Sequence, residues 1–239
     1  KCLIIIHQLK IKLITKIFIM RTHQSRSTRL FNLVRLIYEK KGKTVYSRFR
    51  VENDDINQLS SKYDIVLCKT HDEDVEYLNC YDIKLLPVRN VLDSALSATS
   101  RTIYKKRYKK IDQEFFVRQC IKNINLFYKF KPFSDFVFKY ESYSVNEIEK
   151  LCSILNVNLE TIEIIEIMKE LEDMLNSKNI VEFDDFTWKN EKYKTTLLSQ
   201  DHNTSSGKMN KFVNIAPEQL LNILKNDQML KFLKENSYF

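Results

Sequence analysis

Four short apolar runs constrain the fold more than any other feature: ITKIFIM (14–20), KTVYS (43–47), YDIVLCK (63–69) and DIKLLPV (82–88). Each has the length and β-branched content of a buried strand. The stretches between them are too long and too poor in glycine for hairpin turns. From Thr28 onward, Leu30, Val34, Ile37 and Tyr38 recur at helical spacing, and Gly42 stands where a helix C-cap takes a left-handed residue. Strands alternating with helices imply parallel βαβ units, so the expected class is α/β around a central, mostly parallel sheet.

The second half of the chain reads as helix-rich. Helical patterns cover 91–107 and 112–130, a fifth strand is expected at 135–140 (DFVFKY), and helices resume over 144–155 and 158–178. Residues 180–214 are polar and irregular. A last helix is expected from near Pro217 to about Lys234, because Ala216-Pro217-Glu218 places proline and an acid in a first turn. With no internal repeat and no Gly/Ser-rich or Pro-rich linker, the 239 residues are expected to form one domain, 1–239.

Composition narrows the partners. With Lys+Arg 39 against Asp+Glu 31, the formal charge is +8, which favours anionic ligands but equally describes a solvated lysine-rich surface. The aromatic residues fall at core-like spacing and are not interleaved with a basic stripe, so a nucleic-acid partner is not expected. Cys2, Cys68, Cys80, Cys120 and Cys152 are odd in number and contain no CxxC pair, which argues against a disulfide framework or a zinc ribbon and fits a reducing cytoplasm. Lys10, Lys12 and Lys16 interrupt the apolar start well short of the ~20 residues of a membrane span. No membrane span is expected, and the natural start is expected upstream of Lys1.

Three anion-friendly segments follow three of the strands. Arg21-Thr22-His23-Gln24-Ser25-Arg26-Ser27-Thr28 joins the first strand to a helix, where unbonded backbone N–H groups and the helix dipole attract anions. It also suits a plain polar turn capped by Ser27 or Thr28, and it is no Walker A loop, since GxxxxGK[ST] is absent. Lys69-Thr70-His71 follows the third run, at the strand end where open α/β sheets bind ligands, which suits a histidine base or a structural histidine alike. Arg89 follows the fourth, and Ser97 lies eight residues on, so both can address one phosphate. The same pair equally fits an arginine bonded to Asp93 and a serine on a solvated face.

Taken in order, these residues resemble the sulfotransferases that use 3′-phosphoadenosine 5′-phosphosulfate (PAPS). IFIMRTHQSRSTRLFNLVRLI resembles the family's 5′-phosphosulfate loop, Lys69-Thr70-His71 its KTH element, and Arg89-Asn90 with Asp93, Ala95 and Ser97 its 3′-phosphate element RNxxDxAxS. FVFKYESY is similar to the strand ending in YED, and HNTSSGKMNKFVN to the late loop that closes over the 3′-phosphate. The five elements are collinear with the family over about 14–239. The resemblance implies a P-loop nucleotide-hydrolase-like, three-layer α/β sandwich.

The resemblance also implies roles. His71 is the expected general base, with Lys69 and Arg26 stabilising charge at the transferred group. Arg21, Gln24, Ser25, Arg26, Ser27 and Thr28 are the expected phosphosulfate contacts, Arg89 and Ser97 hold the 3′-phosphate, and Tyr140, Gly207 and Lys208 lie near the nucleotide. With Ser25, Ser27 and Thr28 held in register, Gln24 stands at the family's basic residue and Arg26 at its glycine. A two-residue insertion instead matches Arg21-Thr22 to the basic-hydroxyl pair, so both arginines are candidates. The implied donor is PAPS, released as adenosine 3′,5′-bisphosphate with no metal required, and the implied acceptor is a small-molecule, carbohydrate or lipid hydroxyl. The rival readings are a P-loop kinase or NTPase and a degenerate sulfotransferase fold kept for binding.

Overall fold

The computed structural model describes residues 14–20, 22, 27–49, 59, 62–70, 74–104, 113–176, 190–198, 222 and 224–238. The strands are β1 (Thr15–Ile19), β2 (Val45–Phe49), β3 (Ile65–Lys69), β4 (Ile83–Val88) and β5 (Phe136–Lys139), each within a residue or two of its sequence expectation. The helices are α1 (Ser27–Lys40), α2 (Val91–Tyr104), α3 (Gln113–Phe130), α4 (Val145–Ile154), α5 (Thr161–Asn176), α6 (Glu191–Thr196) and α7 (Asp227–Glu235).

The strands form one sheet in the order β2-β3-β1-β4-β5, and every neighbouring pair is parallel. From β1 the chain moves outward to β2 and back to β3, then crosses β1 to β4 and β5 on the other side. The C-terminal end of β1 is therefore the topological switch point, where open parallel sheets bind ligands.

Side chains alternate across a strand, and β1 divides its residues accordingly. Ile17 and Ile19 enter one core with Leu30, Phe31, Leu33, Val34 and Ile37 of α1 and with buried residues of α4 and α5. Phe18 and the flanking Met20 enter the other, against residues of α2, α3 and α7. Helices on both faces of the sheet make the three-layer α/β sandwich expected from the sequence. Each large apolar side chain of α1 stabilises this docking by about 1.5–3 kcal/mol relative to exposure, which fixes the helix's first turn beside the sheet end.

Helix ends follow local chemistry. Gly42 adopts φ +68°, and its N–H donates to Glu39 O at 2.9 Å while Lys43 N donates to Tyr38 O at 3.1 Å. These are the two bonds of a Schellman motif, and the left-handed residue it requires is the glycine read from the sequence. The last helix departs from expectation. Residues 217–221 lie outside the described residues, Asn222 and Leu224 are helical, and the chain then breaks at Lys225-Asn226. Asn226 is extended (φ −80°, ψ 112°) and its side chain accepts from Met229 N, starting α7 afresh with Asp227 in the first turn. A side-chain cap followed by an acid outcompetes continuation of the helix. The stretch read as irregular, 180–214, contains α6, capped by Asn190, whose side chain accepts from Tyr193 N.

Among the described residues no helix is long and apolar enough to cross a membrane, and no disulfide links the described cysteines.

Candidate functional site

The parallel register aligns Ile19 with Lys69 across β1 and β3, so the last residue of β3 ends beside the start of the β1–α1 connection. Thr22 in that connection donates from Oγ1 to the Pro87 carbonyl of β4 at 3.3 Å. Ser27 and Thr28 open α1, and both are buried. The first four N–H groups of a helix have no intrahelical acceptor and carry its positive dipole end. Lys69, 5% exposed, donates from Nζ to Thr28 Oγ1 at 2.6 Å. A buried ammonium, a hydroxyl and a helix N-terminus thus converge at the switch point.

The second cluster lies at the end of β4. Asn90 caps α2, with Oδ1 accepting from Leu92 N at 3.0 Å and its carbonyl accepting from Ser94 N at 2.9 Å. Arg89, immediately before it, is 2% exposed. Its Nη1 donates to Ser97 Oγ at 3.1 Å, and Nη2 stands 3.8 Å from Asp93 Oδ2. Pairing with Asp93 and contact with Ser97 are therefore not exclusive, since a guanidinium carries five N–H donors, and Ser97, 5% exposed, does not stand on the solvated face that the plainer reading gave it. Asp93 balances the buried charge, and the hydroxyl of Ser97 stands beside the fork.

Lys69 and Arg89 end strands on opposite sides of β1. Two strand spacings separate them laterally, about 10 Å.

Tyr140 follows β5 in a 3₁₀ turn. The Arg89 guanidinium lies 5.3 Å from its ring centroid and that of Arg29 5.5 Å, both within cation–π range. Arg29 also lies 4.1 Å from the Tyr143 ring and is ion-paired with Glu172 of α5. Burial pushes the Tyr143 phenol up, and the Arg29 charge opposes that shift. Glu141 accepts from Asn90 N at 2.9 Å through Oε1 and from the Tyr238 hydroxyl at 3.1 Å through Oε2. Asn32 of α1, fully buried, donates from Nδ2 to Thr28 O at 2.9 Å and to Thr196 O at 2.7 Å, which ties α6 to the first turn of α1.

Of the sequence candidates, the structure thus brings Ser27, Thr28 and Lys69 together, and Arg89, Ser97 and Tyr140 together. Arg21, Gln24, Ser25, Arg26, His71, Gly207 and Lys208 lie outside the described residues. Arg29, Asn32, Glu141 and Tyr238 were not read from the sequence. Adjacency to Tyr140 is the signal that marks Glu141, whereas Tyr238 lies 97 residues from its partner and has no local signal.

No family model matches the sequence, and no curated protein does. Solved structures do match. Mouse sulfotransferase SULT7A1 complexed with PAP superposes with a TM-score of 0.63 at 14% identity, over 92% of this chain and 88% of that one. This chain has the sulfotransferase fold. Retinol dehydratase matches it in two complexes, each with a TM-score of 0.56 over 95% of this chain and 82% of that one. One, at 16% identity, holds androsterone and inactive cofactor PAP, and the other, at 18%, holds retinol and PAP. In the sulfotransferase fold of this chain, the two basic clusters occupy the strand ends on either side of the switch point.

Proposed function

We propose that this protein is a sulfotransferase that moves the sulfuryl group of PAPS to an acceptor hydroxyl by in-line displacement. The observation that carries this reading is the pair of buried basic–hydroxyl clusters, Lys69 with Thr28 and Arg89 with Ser97, at strand ends flanking β1. The fold it shares with structures solved with PAP supports the same ligand.

The residues fit such a nucleotide chemically. Arg89 offers a planar donor fork and Ser97 a hydroxyl to a 3′-phosphate, and buried Asp93 fixes the fork's direction. Ser27, Thr28 and the N–H groups opening α1 face the end where a 5′-phosphosulfate is expected. Arg21 or Arg26 is assigned to the same end, with Gln24 and Ser25 in the loop and Gly207 and Lys208 over the 3′-phosphate. Tyr140, 8% exposed, backs Arg89 with its ring.

The bound nucleotide supplies an activated sulfuryl group on a good leaving phosphate. The protein supplies position, charge and a base. Lys69 holds a positive charge where negative charge develops, and its bond to Thr28 preorganises both groups before reaction, so they pay no reorganisation cost during it. His71, two residues after Lys69 in the sequence, takes the acceptor's proton, which an alcohol must lose to become an effective nucleophile.

The retinol and androsterone of the retinol dehydratase complexes are apolar alcohols. They head the acceptor panel for this chain, ahead of phenols and carbohydrates. The test is transfer of label from ³⁵S-labelled PAPS to this panel, alongside calorimetry with adenosine 3′,5′-bisphosphate and with ATP and Mg²⁺. Labelled product and selective binding of the bisphosphate are expected. Binding of ATP with Mg²⁺ in preference overturns the reading in favour of phosphoryl transfer, and bisphosphate binding without turnover on any acceptor reduces it to a binding protein.

A further inference from the structure

The chain's last described residue reaches the same site from the far end of the sequence. At the end of α7, Ser237 takes φ +53°, with its N–H donating to Lys234 O at 3.1 Å and Tyr238 N donating to Leu233 O at 2.9 Å. This is a Schellman turn with serine in place of glycine, a left-handed conformation that a Cβ disfavours. It turns Tyr238 back onto the sheet edge. The ring stacks on Phe232 at 6.2 Å, and the Lys139 ammonium sits 4.4 Å from its centroid. Lys139 Nζ also donates to Asn236 O at 2.5 Å, so the tail is gripped by the residue just before Tyr140.

The phenol completes a relay. Tyr238 OH donates to Glu141 Oε2, and Glu141 Oε1 accepts from the backbone N–H of Asn90, next to Arg89. Burial pushes the phenol far above its usual range, and the Glu141 carboxylate adds to that shift, with smaller effects from Arg89 (downward) and Asp93 (upward). The hydroxyl is therefore a donor at every physiological pH. Both oxygens of Glu141 are thereby engaged. A carboxylate released from this bond would be drawn to the neighbouring arginine and would compete there with a phosphate.

We infer that Tyr238 is a positioning residue of the nucleotide site, which by holding Glu141 keeps the Arg89–Asn90 junction in place for a 3′-phosphate. This rests on the sulfotransferase reading, and one experiment separates the two. Calorimetry compares adenosine 3′,5′-bisphosphate with adenosine 5′-phosphate on the full chain, on Tyr238→Phe, on Glu141→Gln and on the double variant. Tyr238→Phe keeps the ring contacts and removes one hydrogen bond. It is expected to weaken bisphosphate binding roughly five- to tenfold and to leave adenosine 5′-phosphate unchanged. Adding Tyr238→Phe to Glu141→Gln is expected to cost nothing further, because both act through one relay. Unchanged bisphosphate affinity in Tyr238→Phe overturns the inference while leaving the sulfotransferase reading standing. Equal losses for both nucleotides also overturn it, by reducing Tyr238 to packing. If the unaltered chain fails to bind the bisphosphate, both readings fall.

Discussion

Lys69 Nζ and Thr28 Oγ1 lie 2.6 Å apart, joining the end of β3 to the first turn of α1 in a buried hydrogen bond. The contact sets a cation at the positive end of a helix, which is unfavourable unless an anion completes the arrangement. Lys69→Met keeps the stem's packing and removes the charge. In the sulfotransferase reading it is expected to lower kcat about 10- to 100-fold, the equivalent of a lost charge-assisted contact. Affinity for adenosine 3′,5′-bisphosphate should change less, because that ligand carries no sulfuryl group. A single-turnover assay with labelled PAPS, read beside calorimetry, separates the two effects. Equal losses in both would place Lys69 in ground-state binding.

Arg89 is expected to act differently. Arg89→Ala should weaken bisphosphate binding by about 1.5–3 kcal/mol, the range for a hydrogen bond to a charged group. It also leaves Asp93, which is fully buried, without the guanidinium 3.8 Å away. Breaking a buried pair from one side typically costs about 3–5 kcal/mol of stability, so thermal unfolding should fall as well. Ser97→Ala separates the roles. It removes a hydroxyl at the same site and leaves the ion pair intact, so affinity should fall with little change in melting temperature.

His71→Ala is expected to lower turnover by about 10²–10⁴, the usual contribution of a general base, while preserving bisphosphate binding. In the unaltered enzyme kcat/KM should rise with pH as the base loses its proton, and the variant should lose that limb. Retained sulfation by His71→Ala would remove the residue from this role.

What the sequence disclosed and what it hid divide along a physical line. The strands and α1 were legible because a buried parallel strand needs a continuous apolar run and a docked helix needs 3.6-residue periodicity, both local signals. Gly42 was legible because its left-handed φ nearly demands glycine. Lys69, Arg89 and Ser97 were legible as candidates since the chain's order placed Lys69 and Arg89 at strand ends and Ser97 in the helix that follows Arg89. Their pairings were not, because Lys69 meets Thr28 only through the register of β1 with β3. Asn32 was hidden by its helical periodicity, which reads it as one more position on α1 while its amide in fact ties α1 to α6. The break at Asn226 was missed because Pro217 is the stronger helix-start signal of the two. Glu141 and Tyr238 meet by tertiary folding alone.

Alkaline stability gives a prediction independent of function. Burial pushes the Cys120 thiol from 9.0 to about 12, and burial, reinforced by the Glu149 carboxylate and opposed by Lys41, pushes Cys152 to about 11. Tyr38 and Tyr81 are displaced upward as well, chiefly by burial. A raised pKa on an acid means that the unfolded chain loses the proton first. Between pH 9 and 12 the folded state therefore binds more protons than the unfolded one, and stability falls as pH rises. The full contribution is present below pH 9. Above it, each fully shifted group removes about 1.4 kcal/mol per pH unit. Urea midpoints should accordingly hold between pH 7 and 8.5 and drop steeply by pH 10.5. Cys120→Ala removes one titrating group at the contact with the Val91 carbonyl, so it should start from a lower midpoint and decline less steeply. A decline parallel to that of the unaltered protein would show that the buried thiol is not a source of the alkaline sensitivity.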